Sequence, residues 1–158
     1  MDGTAERLAQ GLLSRGRTVA VAESCTGGGV GARLTSRSGS SAYFRGGVIA
    51  YADRIKVDLL GVEMEKLESL GAVSAPVAED MATGVRVRCA TDYGIAVSGI
   101  AGPGGGTPDR PVGLVYVAVA SPDGCTVREL RLAGNREQVR EQSVDAALEL
   151  LLETLQSA

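Results

Sequence analysis

Three side chains that could attack a carbonyl or bind a phosphate stand directly before three consecutive glycines in AESCTGGGVGARL, residues 22–34. They are Ser24, Cys25 and Thr26. The segment fits a turn that presents a nucleophile, a loop that binds an anion, or a plain strand-to-helix corner in which Ser24 or Thr26 only caps the helix. The glycine spacing matches neither the dinucleotide-binding fingerprint nor the P-loop, so these interpretations stay open at this point.

The chain contains no histidine, which excludes Ser-His-Asp and Cys-His catalysis and most transition-metal sites. Of its 16 basic residues, only Lys56 and Lys66 are lysines. An arginine keeps its proton near neutral pH, whereas a partly buried lysine can lose it and act as a base. Lys66 lies among acids in EMEKLESL, which is typical of an exposed helix position. Lys56, five residues after Tyr51, is either a general base or an ordinary surface residue.

Composition restricts the class of protein. A length of 158 residues predicts one domain, and an apolar fraction of 44% with one Phe and no Trp suits packed α/β layers. The net charge of −3 and the few aromatic residues argue against nucleic-acid binding. The first residues are not expected to form a signal peptide, and no apolar run is long enough to span a membrane. Three widely spaced cysteines (Cys25, Cys89, Cys125) indicate neither disulfides nor a zinc site, so we expect a cytoplasmic location.

Basic residues are concentrated between positions 33 and 56, where they accompany the single acid Asp53. They are Arg33, Arg37, Arg45, Arg54 and Lys56. The cluster favours an anionic small molecule as the ligand, unless folding distributes these charges over different faces.

Apolar periodicity and turn residues predict an alternation of helices and strands. Helices are expected from Ala5 to Arg15, over 30–37 with a serine or threonine cap, and over 53–61, 65–70, 74–90 and 135–155. Strands are expected over 18–22, 44–51, 93–99, 113–120 and 125–132, the last two as a hairpin. The glycine- and proline-rich residues 100–113 must form a loop. This order predicts an α/β fold, a three-layer α/β/α sandwich with a mixed, mostly parallel sheet.

In such a sheet, ligands bind at the carboxyl ends of the strands, near outward-pointing helix N-termini. The segments 23–29, 98–107 and 134–136 are predicted to lie there. From their composition alone, residues 98–107 also fit a flexible surface loop and residues 134–136 also fit a helix boundary with a solvated arginine.

Five ordered segments resemble the C-terminal domain of the CinA (competence- and damage-inducible) family. They are AESCTGG, GSSAYFRGGVIAYADRIKVDLLGV, GAVSAPVAEDMA, AVSGIAGPGGGTPDRPVGLVYVA and GNREQVREQ. The resemblance as a whole covers roughly residues 5 to 155. Stand-alone members of that family are nicotinamide-nucleotide amidases, so the resemblance implies that residues 1–158 form a single amidase domain. Some longer relatives carry an N-terminal domain similar to molybdopterin-binding proteins, which we do not expect here.

The resemblance implies hydrolysis of the carboxamide of nicotinamide mononucleotide to nicotinic acid mononucleotide and ammonia. It assigns Ser24 as the nucleophile, Lys56 as the base and Tyr51 as a nearby group that orients the base or relays a proton. The residues expected to contact this anionic nucleotide are Thr26, Gly27, Gly28, Ser98, Gly99, Ala101, Gly102, Thr107, Arg136 and Arg140. The amides of residues 26–28 would stabilise the oxyanion, the two arginines the 5′-phosphate, and the loop the ribose or the ring. No metal or cofactor is expected, and a homodimer or larger homo-oligomer is implied.

Two positions depart from the family pattern. Asp53 stands where asparagine is common, and it either pairs with Lys56 and keeps it protonated or faces solvent. Asn135 replaces the acid of a common GDR motif, which leaves Arg136 without its usual neighbour.

Two rival functions stay open. One is a non-catalytic domain that binds a nucleotide or pterin phosphate, with Ser24 as a helix cap. The other is an enzyme whose functional atom is the Cys25 thiol at a helix N-terminus.

Overall fold

The computed structural model describes residues 3–158, and its helices and strands follow the predicted order. The helices are α1 (Thr4–Arg15), α2 (Gly29–Leu34), α3 (Asp53–Leu60), α4 (Met64–Leu70), α5 (Ala75–Cys89) and α6 (Arg136–Gln156). The strands are β1 (Val19–Glu23), β2 (Phe44–Ile49), β3 (Tyr93–Gly99), β4 (Leu114–Ser121) and β5 (Gly124–Arg131). The predicted boundaries are close to these except at α2, which ends at Leu34 instead of at residue 37.

Within residues 3–158, the strands form one sheet in the order β2-β1-β3-β4-β5. β1 pairs in parallel with β2 and β3, whereas β4 pairs antiparallel with β3 and β5. All strands except β4 therefore point in the same direction. The predicted mixed sheet is confirmed, and the carboxyl ends of β1, β2 and β3 lie at one edge.

Helices cover both faces of the sheet, which confirms the three-layer sandwich. The core under α1, α2 and α6 contains large side chains such as Leu8, Leu12 and Leu148. The core under α3, α4 and α5 is lined on the sheet side mainly by alanines, among them Ala20 and Ala96. Small strand residues let α5 lie close to β1, β3 and β4. No helix in the part of the chain that the structure describes is both long and apolar enough to cross a membrane.

The position of α3 is determined by a close contact with α5. A Cβ atom added to Gly84 of α5 would lie 1.9 Å from the carbonyl oxygen of Leu60, the last residue of α3. Only glycine permits this approach. Because α3 carries Lys56, the contact also positions a candidate catalytic side chain.

Candidate active site

The side chains of Ser24 and Lys56 meet at the carboxyl end of the sheet. Ser24 follows β1 directly, and its amide donates to the carbonyl of Val97 in β3 at 3.0 Å. Lys56 lies 32 residues later in α3, and its Nζ lies 3.4 Å from Oγ of Ser24. At this distance, a small movement brings the two atoms to a separation suited to proton transfer.

Lys56 is buried, and its environment contains features that act on its pKa in opposite directions. It is only 1% exposed, and its Nζ donates to the main-chain carbonyls of Ala50 at 2.8 Å and Tyr51 at 3.2 Å. Burial lowers the pKa of Lys56 because desolvation penalises the charged form, and the carboxylate of Asp53 opposes this shift. The side chain of Asp53 is 60% exposed and its Oδ1 lies 4.0 Å from Nζ of Lys56, so it both faces solvent and remains within ion-pair range.

The pair opens into a cavity of about 220 Å³. Residues anticipated from the sequence that line it are Ser24, Tyr51, Lys56, Ser98, Gly99, Ala101 and Arg136. Pockets for whole drug-sized ligands measure about 300–1,000 Å³, so this volume suits the reacting end of a small molecule. Within residues 3–158, no three or more His, Cys, Asp or Glu side chains are grouped so that they could hold a metal ion.

The sequence reasoning missed one functional candidate, Glu23. It is the last residue of β1, and its carboxylate is buried. It accepts hydrogen bonds from the Thr26 hydroxyl at 2.6 Å and from the amides of Gly28 at 3.2 Å, Val30 at 2.9 Å and Gly31 at 3.0 Å. The predicted serine or threonine cap on α2 is therefore wrong, because a glutamate satisfies these N–H groups. A glutamate ending the otherwise apolar strand VAVAE was the available signal, since a buried carboxylate requires several donors.

The amides expected to stabilise an oxyanion are mostly engaged within the turn. Gly27 donates to the carbonyl of Ser24 at 3.1 Å, and Gly28 donates to Glu23. The hydroxyl of Thr26 also donates to Glu23, and the residue is buried. Contrary to expectation, the amides of Gly27 and Gly28 are thus not free to bind an oxyanion here, because each N–H is already in use.

Arg140 holds the opposite side of the same turn. Its Nε donates to the carbonyl of Cys25 and its Nη2 to the carbonyl of Thr26, both at 3.2 Å. Arg140 does not line the cavity, so of the two arginines predicted to bind the phosphate only Arg136 lies at the candidate site.

Tyr51 and Arg136 lie at the mouth of the cavity. Nη2 of Arg136 donates to the hydroxyl of Tyr51 at 3.2 Å, and its Nη1 donates to the carbonyl of Gly102 at 2.9 Å. Lys56 reaches Tyr51 through the main-chain carbonyl and not through the hydroxyl. The expected role of the Tyr51 hydroxyl in orienting the lysine is therefore not seen in this arrangement. Gly102 contributes its carbonyl to Arg136 and does not line the cavity.

Thr107 lies in the exposed part of the loop over residues 100–113. Its hydroxyl accepts from the amide of Arg110 at 3.0 Å, and its own amide donates to the carbonyl of Arg110 at 2.8 Å. Arg110 in turn anchors the loop by donating to the carbonyls of Val73 and Leu70. Thr107 thus stabilises a turn of the loop and does not line the cavity, contrary to the prediction.

The basic residues between positions 33 and 56 do not form one anion site. Their partners lie in different parts of the fold: Arg33 contacts Asp145, Arg37 contacts Glu6, Arg45 contacts the carbonyl of Ser41, and Arg54 contacts Asp58. Of this set, only Lys56 lines the cavity. Folding distributes these charges, as the alternative interpretation anticipated.

The thiol of Cys25 is poorly suited to be the nucleophile. Burial raises its pKa to about 11, and the charge of Glu23 adds to the increase while Arg140 opposes it. The thiolate is the reactive form of cysteine, and such a thiol is almost entirely protonated at neutral pH. The geometry favours Ser24 as the nucleophile, because Nζ of Lys56 lies 3.4 Å from its Oγ.

Fold and cavity together define an α/β domain with a buried serine–lysine pair at the carboxyl end of its sheet. Residues 1–155 match the CinA C-terminal domain, and the chain belongs to this family. A CinA-like protein of Thermosynechococcus vestitus is 57% identical over 153 residues, which are 95% of this chain and 37% of that protein. Another from Mycolicibacterium gilvum is 54% identical over 144 residues, 90% of this chain and 34% of that protein. The chain thus spans about a third of the length of these curated relatives.

Solved structures share the fold over nearly the full length of the chain. The competence/damage inducible protein CihA from Agrobacterium tumefaciens has a TM-score of 0.90 at 40% identity, covering 97% of this chain and 96% of that one. A CinA superfamily protein from Klebsiella pneumoniae has a TM-score of 0.94 at 34% identity, covering 99% and 100%. The family membership predicted from the sequence is confirmed.

Proposed function

We propose that this protein is a nicotinamide-nucleotide amidase that converts nicotinamide mononucleotide to nicotinic acid mononucleotide and ammonia. The observation that carries the proposal is the 3.4 Å separation between Nζ of a buried lysine and Oγ of a cavity-lining serine, in a chain without histidine. The resemblance to stand-alone CinA-family amidases supplies the substrate class.

In the first step, neutral Lys56 accepts the hydroxyl proton of Ser24 while Oγ attacks the carboxamide carbon. A C–O bond forms, and the carbonyl π electrons move to the oxygen to give a tetrahedral oxyanion. For the amide of Thr26 to stabilise this oxyanion the turn would have to move, because Thr26 is buried and does not line the cavity. Such a donor contributes roughly 3 kcal/mol in better-known hydrolases. The carbonyls of Ala50 and Tyr51 stabilise the lysine ammonium that forms.

In the second step, the C–N bond breaks and the Lys56 ammonium donates its proton to the departing nitrogen, which leaves as ammonia. Neutral Lys56 then accepts a proton from water as the water attacks the acyl-serine. Collapse of this second tetrahedral species releases the carboxylic acid and returns the proton to Ser24. One water is consumed and one ammonia is released in each cycle.

Arg136 is the proposed partner of the 5′-phosphate. Its guanidinium lies at the mouth of the cavity, beside the exposed Tyr51. A nucleotide whose carboxamide reaches Ser24 would extend beyond the 220 Å³ cavity toward this mouth. A guanidinium binds phosphate through a charged, bidentate contact, for which Arg136 would exchange its present partners.

The test is ammonia release from nicotinamide mononucleotide, with nicotinamide riboside as the substrate that lacks the phosphate. The expected result is turnover by the wild type, a loss of at least about 100-fold in Ser24→Ala and Lys56→Arg, and retained turnover in Cys25→Ser. Full turnover in Lys56→Arg would show that the base is assigned wrongly. Nucleotide binding without ammonia release by the wild type would favour the non-catalytic binding domain instead.

A further inference from the structure

Ser98 lines the cavity together with Ser24 and Lys56 and has no role in the steps above. The register of β1 and β3 pairs Glu23 with Val97, so the following residues, Ser24 and Ser98, are neighbours on the same face of the sheet. That face is the one covered by α3, α4 and α5. A substrate carbon held at Ser24 would therefore lie next to Ser98.

The hydroxyl of Ser98 is in a defined hydrogen-bonding state. It is buried, and it donates its only proton to the carbonyl of Ala72 at 2.8 Å. A hydroxyl has one donor and two acceptor lone pairs, so Ser98 has only acceptor capacity left for a ligand. The segment that contains Ala72 is held on both sides by Arg110, which donates to the carbonyls of Leu70 and Val73. The hydroxyl hydrogen of Ser98 is therefore held toward Ala72, and the direction of its lone pairs is fixed before a ligand arrives.

We propose that Ser98 determines the preference for an amide: its Oγ accepts an N–H from the carboxamide nitrogen and disfavours the carboxylate product. This inference rests on the proposed function. The carboxamide NH2 supplies two donors, whereas a carboxylate supplies none and would place its oxygen against the Ser98 lone pairs. The same contact orients the amide, because fixing its nitrogen at Ser98 turns its carbon toward Ser24. Loss of the N–H donor after hydrolysis assists release of the acid.

The experiment measures binding of nicotinamide mononucleotide and nicotinic acid mononucleotide by calorimetry to the inactive Ser24→Ala protein. The same measurement is made with Ser98→Ala, Ser98→Cys and Ser98→Thr added to that background. Lys56 is present in every variant, so its attraction for an acid cancels when the amide-to-acid affinity ratios are compared.

We expect Ser98→Ala to lower the amide-to-acid affinity ratio about tenfold, as for the loss of one hydrogen bond to a buried acceptor. Ser98→Cys keeps a donor for the carbonyl of Ala72 but offers only a weak sulfur acceptor, so it should lose the preference as well. Ser98→Thr retains the hydroxyl and should restore the ratio.

An unchanged ratio in folded Ser98→Ala and Ser98→Cys proteins would overturn the inference while leaving the amidase proposal intact. If the Ser24→Ala protein binds neither nucleotide and the wild type releases no ammonia, the proposed function fails, and this inference fails with it. A ratio that falls in both variants and returns in Ser98→Thr supports the inference.

Discussion

Replacing Glu23 with glutamine tests whether a buried carboxylate holds the turn that presents Ser24. Oε1 of Glu23 accepts from the hydroxyl of Thr26 and the amides of Gly28 and Val30, and Oε2 accepts from the amide of Gly31. Glutamine has nearly the same shape but only one acceptor oxygen. The substitution therefore removes acceptor capacity and charge without leaving a cavity.

The expected loss of stability follows from these four contacts. The glutamine nitrogen does least harm in place of Oε2, where one N–H, that of Gly31, loses its acceptor at a cost of about 1–3 kcal/mol. The other three hydrogen bonds change from charged to neutral acceptors, which weakens each by about 1 kcal/mol. A neutral amide is easier to bury than a carboxylate, which offsets part of this loss. We expect a net destabilisation of about 3 kcal/mol.

Urea denaturation at neutral pH measures this change, with Glu149→Gln as the control because Glu149 lies exposed on α6. The control should unfold at the same urea concentration as the wild type. The proposed ammonia release should also decrease in the folded Glu23→Gln protein, because the main chain at Ser24 would shift. A destabilisation below about 1 kcal/mol together with unchanged turnover would show that the carboxylate neither stabilises the turn nor positions Ser24, the proposed nucleophile.

Two further predictions concern the lysine and the packing of the helix that carries it. Burial lowers the pKa of Lys56 and Asp53 raises it, so Asp53→Asn should move the acidic limb of the pH–rate profile to lower pH. The control Asp58→Asn, which removes the partner of Arg54, should leave the limb in place. An unmoved limb in Asp53→Asn would count against Lys56 as the base. Glycine-to-alanine changes inside helices usually stabilise a protein. Gly84→Ala should instead destabilise it by about 1–3 kcal/mol, because the new Cβ would lie 1.9 Å from the carbonyl oxygen at the end of α3. Gly104→Ala, which adds its Cβ in open space, is the control in a thermal or urea denaturation experiment, and equal stability of the two variants would contradict the close contact.

Much of the fold could be predicted because its signals are local. The helix and strand boundaries follow from apolar periodicity and from glycines such as Gly16 and Gly61, both of which end a helix with positive φ. The order of these elements was sufficient to predict the sandwich. The segments following the strands were expected at the carboxyl edge of the sheet, and Ser24, Ser98 and Gly99 do line the cavity there.

The hydrogen-bond partners at the site could not be predicted in this way. Whether the amides of Gly27 and Gly28 are free depends on which side chain reaches them, and a serine cap, a threonine cap and a glutamate all suit the same local sequence. The role of Arg140 depends on the packing of α6 against α2, which brings it to the carbonyl of Cys25 across 115 residues of sequence. Hydrophobic patterning specifies that these helices pack, but not which polar groups then face each other.

From its residues alone, this chain specifies an α/β sandwich, a family, and a serine and a lysine as the candidate nucleophile and base in a sequence without histidine. Tertiary structure decides that the two atoms lie 3.4 Å apart, that burial lowers the pKa of the lysine, and that Glu23 and Arg140 hold the turn around the serine. The physical reason is the different sequence range over which these effects act. Periodicity and turn propensity act over a few residues, whereas desolvation and hydrogen-bond geometry depend on groups that become neighbours only after the layers have packed.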